Sequence, residues 1–297
     1  MEESSFMDVG TEKGNLHIAK STINSVANLN LFPPIEEPKD LEISSKPSEF
    51  QTRLSKIDLL KEEDYDCSNL DVWSFRKKAD IRGGVNIKFG NMVNGFPFII
   101  GSVKFNNSEM AYIAGAYSAG DPKSVSIQKE VALCTNGLKG KRKFRNSPYK
   151  EHARKDFYTY NVQWMKYVVW QKCIQCREFA DLLGQIPVEA AVVENSSFHR
   201  GEASTFWGAK NEELKVAGKI AEASVRRESF KFKKDYSKAQ MMARMALSDV
   251  GHFVGKNVMG KIIKMCSLCL LYGQELNIDY DLLRSKEFWW YGKPMEF

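Results

Sequence analysis

Two stretches of this chain carry apolar residues at helical spacing, and they limit what it can fold into. Val162, Met165, Val169, Cys173, Cys176, Ala180 and Leu183 follow one another at intervals of 3, 4, 4, 3, 4 and 3. Val258, Ile262, Met265, Cys269 and Tyr272 repeat at 4, 3, 4 and 3. Such periods gather the apolar side chains of a segment on one face of an α-helix. The first stripe predicts one long helix from Tyr158 to Leu183, the second a helix closing at Tyr272. Strand signals are shorter. Val72-Trp73-Ser74-Phe75 reads as a strand, and Val188 to Val193 as a buried one. Phe98-Ile99-Ile100 and Val103-Lys104-Phe105 flank Gly101-Ser102 as a hairpin. The expected fold class is α+β, mainly α-helical, with a few short strands in a single domain.

Charge divides the 297 residues unevenly. Residues 1–70 hold 7 Lys/Arg against 14 Asp/Glu, while the remainder holds 36 against 23. The first 70 residues therefore read as an acidic N-terminal extension, either docked on the body or partly disordered, with a short helix near 51–61. The body is basic, which favours anionic partners such as nucleotides, diphosphates or nucleic acid. Residues 209–254 read as a helical basic insertion carrying Arg226, Arg227, Lys231, Lys233 and Lys234. Residues 276–297 form a tail whose Phe288-Trp289-Trp290-Tyr291 is too aromatic to stay wholly in water. Gly140-Lys141-Arg142-Lys143-Phe144-Arg145 reads as a basic, solvated loop. The polar, acidic start does not resemble a signal peptide, and no apolar run approaches the ~20 residues that span a bilayer. A cytoplasmic protein with reduced thiols is expected, and no membrane partner.

Several chemistries are disfavoured by spacing. Gly137-Leu138-Lys139-Gly140-Lys141 lacks the P-loop pattern, and neither G-x-G-x-x-G nor G-x-S-x-G occurs. Cys173/Cys176 and Cys266/Cys269 are two C-x-x-C pairs, but both lie within the apolar stripes, where cysteine behaves as a small core residue. Histidines 17, 152, 199 and 252 show no metal-ligand spacing. Neither a metal nor a redox cofactor is expected. Glu109 stands out. It falls in the first turn of a helix that Ser108 or Asn107 would cap. An acidic residue there also complements the helix dipole.

Taken in order, Phe89-Gly90-Asn91-Met92, Asn107-Ser108-Glu109-Met110-Ala111-Tyr112, Arg154-Lys155-Asp156-Phe157, Trp207-Gly208 and Gly255-Lys256-Asn257-Val258-Met259-Gly260 resemble the NADAR family. That family is named for its association with NAD and ADP-ribose. The resemblance covers roughly residues 72–272 and implies a NADAR-like domain over 71–275. Members include N-glycosidases acting on riboflavin-pathway intermediates and enzymes that remove ADP-ribose from guanine. Three features depart from the family's pattern. Ile113, Ala114, Gly115 and Ala116 stand where polar residues are usual, Ser204 replaces an acid, and some forty residues separate Trp207-Gly208 from Gly255.

Cleaving a ribose–base bond builds positive charge on the sugar, which a nearby carboxylate stabilises while activating water. Carried onto this sequence, the resemblance makes Glu109, Trp207 and Asn257 the catalytic candidates. Asn91, Phe89, Tyr112, Arg154, Asp156, Gly208, Lys256 and Gly260 become the substrate-binding ones. Trp207 would stack on the base, Asn91 and Asn257 would hold hydroxyls or the base, and Lys256 with the helix start would meet a diphosphate. An ion pair between Arg154 and Asp156 is an equal reading of those two residues. The expected partner is an ADP-ribose-like or ribosylated-base small molecule. Two alternatives stand beside an N-glycosidase: an inactive module that senses ADP-ribose or NAD derivatives, and a nucleic-acid-associated protein.

Overall fold

A computed structural model describes residues 46–76, 80–82, 85–213, 216 and 250–297. Residues 45–297 form one compact unit. In chain order the elements are α1 (Lys46–Ser55), β1 (Glu63–Asp66), β2 (Val72–Phe75), β3 (Asp80–Arg82), β4 (Val85–Ile87), β5 (Phe98–Ile100) and β6 (Val103–Phe105). There follow α2 (Ser108–Gly115), α3 (Pro122–Leu133), α4 (Gly137–Phe144), α5 (Asn161–Gln175), α6 (Arg177–Gly184), β7 (Ala191–Glu194) and α7 (Ala203–Trp207). β8 (His252–Gly255), α8 (Val258–Tyr272), α9 (Tyr280–Arg284), β9 (Trp289–Trp290) and β10 (Lys293–Pro294) complete the chain. The strands join in pairs: β2 with β7 in parallel, and β1–β8, β3–β4, β5–β6 and β9–β10 antiparallel. The fold is α+β and mainly helical, as the periodicity predicts. Among the described residues no helix is long and apolar enough to cross a membrane.

Helix α2 lies at the centre. All eight of its residues are buried, and an all-round apolar helix is stable only inside a core. Asn107 caps it by accepting the Met110 N–H at 3.1 Å. Helix α5 crosses it closely through Trp164, whose Nε1–H donates to the Ala111 and Tyr112 carbonyls at 3.2 Å. Gly115 permits that approach, since a Cβ there would come within 2.1 Å of the indole nitrogen. Helix α4 packs on α2 with its own glycines: a Cβ on Gly140 would meet the Met110 sulfur at 2.4 Å, and one on Gly137 the Met92 backbone at 2.9 Å.

Two expectations about helices change. The basic stretch around Lys141 is helix, not loop. Asn136 caps it by accepting the Lys139 N–H, three cations occupy its last turn beside the negative end of the helix dipole, and close packing of its glycine face outweighs glycine's poor propensity. The long helix drawn from Tyr158 is shorter and divided. It begins at Asn161 and breaks at Cys176, whose backbone is extended (φ −118°, ψ 101°). At the break the Gln175 amide both accepts from the Ile99 N–H (2.7 Å) and donates to its carbonyl (2.8 Å), docking the helix end on β5.

The described part of the extension is docked on the body. Phe50 packs on Tyr272 of α8 with ring centroids 5.7 Å apart, and β1 pairs with β8 along Glu63 to Asp66. Buried Lys261 donates to the Asp58 and Lys61 carbonyls at 2.6 and 2.7 Å and lies 3.2 Å from Glu63. His252 meets Asp64 at 2.9 Å, and that carboxylate holds the imidazole above its usual pKa. So acidic residues on this segment do face cations on the body. Residues 1–45 and most of the basic insertion, with Arg226, Arg227, Lys231, Lys233 and Lys234, lie outside the described residues. The C-terminal tail packs inward, with Leu283, Phe288 and Trp290 buried. All four cysteines of the C-x-x-C pairs are buried in the main apolar cluster.

Gly115→Ala should destabilise the protein by about 3 kcal/mol in urea unfolding, because the added carbon overlaps a ring with nowhere to go. Gly184→Ala, which would meet nothing within 4 Å, should instead be neutral or stabilising by roughly 0.5–1 kcal/mol. Equal losses at both positions would show that α2 and α5 do not pack this closely.

Candidate functional site

The site is built where the start of α2, the end of β7, α7 and the start of α8 meet. Glu109 is only 4 % exposed, and its N–H donates to the Asn91 carbonyl at 3.0 Å, fixing the Phe89-Gly90-Asn91 turn against the helix. Lys141 on α4 places its Nζ 3.3 Å from Glu109 Oε1. Even so, Oε1 accepts no well-formed hydrogen bond. Among the described residues only four buried side-chain atoms lack a hydrogen-bond partner, and three of them are Asn91 Oδ1, Ser108 Oγ and Glu109 Oε1. A buried polar atom left unpaired costs on the order of 1–3 kcal/mol. The three atoms belong to the segments that the Glu109 N–H joins to the Asn91 carbonyl, and each can accept from a hydroxyl group.

An aromatic wall stands beside the carboxylate. Tyr112, on α2, meets Trp207 edge-on at 5.6 Å, and Trp207 meets Phe206 edge-on at 5.3 Å. The wall carries cations. Arg145 lies 5.5 Å from the Tyr112 ring and Lys256 5.7 Å from the Phe206 ring. Neither has a carboxylate partner among the described residues. Burial raises the Tyr112 hydroxyl well above its usual pKa, partly offset by Arg145, with Glu109 adding to the rise. Trp207, Phe206, Lys141 and Lys256 are all half-buried, so the site opens on this side.

Asn257 has a different position from the expected one. Its side chain is fully buried, Oδ1 accepts the Glu194 N–H (2.9 Å) and Nδ2 donates to the Val192 carbonyl (2.8 Å). Both ends of the amide are spent on β7, so it positions the site and has no polar end left for a ribose or a base. The residue sits at φ 52°, a left-handed conformation that asparagine tolerates better than most. Gly260 is likewise a packing residue: a Cβ there would fall 2.2 Å from the Val192 carbonyl and 2.4 Å from the Asn257 amide oxygen. Gly208 fits against the Glu194 carbonyl, which a Cβ would approach to 2.4 Å. The Gly255-Lys256-Asn257 segment with Gly260 thus locks α8 onto the strand, and only Lys256 presents a group to solvent.

Arg154 and Asp156 form the ion pair that was the equal reading of these residues. Arg154 uses its guanidinium on Asp156 in bidentate fashion (2.9 and 2.8 Å), on the Ser118 carbonyl (3.2 Å) and on the Lys286 carbonyl (2.7 Å). The Arg154 guanidinium holds the Asp156 carboxyl below its usual range. Through these bonds Arg154 staples the C-terminal tail to the body. Phe89 is fully buried, edge-on to Phe75 at 5.7 Å, and serves the core beneath the site. Asn91 remains in place, with Nδ2 against the sulfurs of Met259 (3.4 Å) and Met165 (3.6 Å).

Three groups are not marked as site residues by the sequence: Ser108 reads as a cap, Lys141 as part of a loop, and Glu194 carries no motif, although an acid directly closing the buried Val192-Val193 strand is a visible signal. Burial pushes the Glu194 carboxyl up to about 7, with Glu109 raising it and Lys141 lowering it. His199 lies nearby, its pKa lowered by burial and by the charges of Arg76 and Lys141.

No family model matches the chain, and no curated protein matches it. Among solved structures, the NMR structure of the E. coli protein YbiA, a Northeast Structural Genomics target, is similar at 19% identity. The match covers 60% of this chain and 86% of that chain, with a TM-score of 0.37.

Asn257→Ala should cost about 3 kcal/mol in chemical denaturation, since it strands a buried carbonyl and a buried N–H of one strand. Lys256→Ala, on the half-buried rim, should cost less than about 0.5 kcal/mol. A mild Asn257→Ala variant would show that other contacts hold β7 to α8.

Proposed function

We propose that this chain is an N-glycosidase of NADAR type, which hydrolyses the bond between a ribose carbon and a base nitrogen in a phosphate-bearing compound. ADP-ribose-like molecules and ADP-ribosylated bases are the substrate class. The observation that carries the reading is the buried, incompletely bonded Glu109 carboxylate, flanked by the equally unpaired Asn91 Oδ1 and Ser108 Oγ. A ribose supplies hydroxyl donors to those acceptors. Glu109 then faces the sugar carbon, where positive charge grows as the C–N bond stretches, and accepts a proton from the attacking water. The Trp207 indole, held edge-on by Tyr112 and Phe206, offers a flat face to the base. Lys256 and Arg145, on the rim of the aromatic wall, supply the charge that a diphosphate needs.

The polar residues missing from α2 do not leave the carboxylate without a cation. Gly115 is closed off by Trp164, so no longer side chain fits there, and Lys141 reaches Glu109 from α4 instead. This favours an active site over a merely sensing one.

The test is chromatography of free base after incubation with NAD, ADP-ribosylated nucleosides and ribosylamine phosphates. The wild-type chain should release base from at least one of them. Glu109→Gln should lose about 100-fold or more of that rate, in the range expected when a charge-stabilising group is removed, while its thermal midpoint changes little. Tight ADP-ribose binding by calorimetry with no release of base from any compound would make the chain a sensor. A Glu109→Gln rate equal to wild type would remove Glu109 from the chemistry.

A further inference from the structure

We infer that Glu194 is a second catalytic carboxyl group, the acid that hands a proton to the departing base while Glu109 serves the sugar and the water. This rests on the N-glycosidase reading of the same site. Three observations lead to it. The Glu194 backbone is gripped from several sides: its N–H by Asn257 (2.9 Å), its carbonyl by the Ala209 N–H (2.9 Å), with Gly208 fitted against it. Its carboxylate, by contrast, makes no hydrogen bond or ion pair with any described residue. A strand end this firmly held, with its functional group left unbonded, is organised to present that group.

The second observation is direction. Side chains alternate across a strand. Val193 faces the small cluster with Val72, Ala209 and Phe253, whereas Val192 belongs to the main core. Glu194 shares the face of Val192, the side on which α2 lies. Its charged neighbours are Glu109 from α2 and Lys141 from α4. β2 sets Phe75 opposite it in register, and α8 contributes the Asn257 amide, so neither adds a charge. His199, on the following loop, lies in the field of the same lysine.

The third is the contrast between the two acids. Lys141 stands against Glu109 at ion-pair distance, whereas Glu194 is held by burial and by the Glu109 charge in a state that keeps its proton to about pH 7. Glu194 is therefore the carboxyl suited to give a proton, and Glu109, beside its lysine, the one suited to face growing positive charge. The step balances. Water oxygen bonds to the sugar carbon as the C–N bond breaks, and its proton passes to the Glu109 carboxylate. The electron pair of the broken bond goes to the base nitrogen, which takes the Glu194 proton. Exchange with solvent returns the proton from Glu109 and restores the one on Glu194.

Base protonation matters only for bases that leave poorly, and the test uses this. A ribosyl pyridinium such as NAD loses a neutral base without a proton, whereas a ribosyl purine needs one. Glu194→Gln should lose about 100-fold on the purine substrate, the usual reach of general acid catalysis, and less than about threefold on the pyridinium. The wild-type rate on the purine should fall as pH rises through about 7, and that limb should be absent with the pyridinium. Equal losses on both substrates, or none on either, would overturn the assignment. Should wild-type protein release neither base, the N-glycosidase reading falls and this one with it. NMR of carbon-13-labelled glutamates reads the premise without turnover: one carboxyl should titrate near pH 7 and vanish in Glu194→Gln. If Glu194 titrates like an ordinary glutamate, the inference fails even where the enzyme is active.

Discussion

One amide joins the two halves of this site. Asn257 reaches from the start of α8 to two peptide groups of β7, accepting from one and donating to the other. Such a pair of bonds is possible only with the helix start at strand distance, and Gly260 grants that distance by having no Cβ to meet the Val192 carbonyl. The left-handed backbone at Asn257 turns its side chain back onto the strand while the helix departs in the other direction. Each buried hydrogen bond contributes about 1 kcal/mol net, but losing the amide leaves two strand groups unpaired, which costs more than the bonds gain. The end of β7, and with it Glu194, is therefore fixed by a residue on a distant segment. The Trp207-Gly208 corner follows, because Gly208 packs against the same strand end.

The electrostatics of the site depend on that geometry. A carboxylate taken out of water loses solvation that a single cation at its edge restores only in part. Glu109 has Lys141 3.3 Å from Oε1, yet that oxygen accepts no hydrogen bond. Glu194 has no partner among the described residues, and burial, with the Glu109 charge adding and Lys141 opposing, raises its carboxyl to about 7. Burying Glu194 raises the free energy of the folded state above neutral pH. A raised carboxyl pKa means that the folded chain binds more protons than the unfolded one as pH climbs from the ordinary carboxylate range to about 7, so stability declines across that window and is flat above it. A chain does not retain this cost for packing, since Leu or Gln would fill the same space with less penalty. The cost is intelligible if the groups are used.

Much of the architecture was legible, and the parts that were not have identifiable causes. The helix over Val258 to Tyr272 and the hairpin at Gly101-Ser102 follow from local period and turn chemistry, and the Asn107 cap from side-chain preference. The break at Cys176 left no trace because neither proline nor glycine marks it and the apolar spacing runs on through it. Helix α4 was hidden because its glycines read as flexibility, whereas they are the face that meets Met92 and Met110. In the site, the directions of side chains were not legible. Asn257 and Gly260 were expected to meet a ligand, yet both pack onto the backbone of β7, while Arg154 forms the ion pair with Asp156 that was its other reading. A motif shows which residues recur together. Whether a polar atom points at substrate or at a peptide group depends on distances that no spacing encodes.

The same distances explain why Ile113–Ala116 carries no charged side chain. Along α2, Gly115 lies beneath Trp164 and Ala114 is fully buried, so the face one turn beyond Glu109 is committed to packing. A cation there would have to displace an indole that donates to two carbonyls of the same helix. Placing the positive charge on α4 avoids this. Gly140 lets α4 sit close to Met110, and the next residue, Lys141, then projects past the start of α2 to Glu109. Helix α4 carries its cations at the end of its dipole that favours them, so Lys141 is held in place by the helix as well as by the carboxylate. A glycine that looked like a loop signal is thus what allows an ammonium group to reach a buried acid.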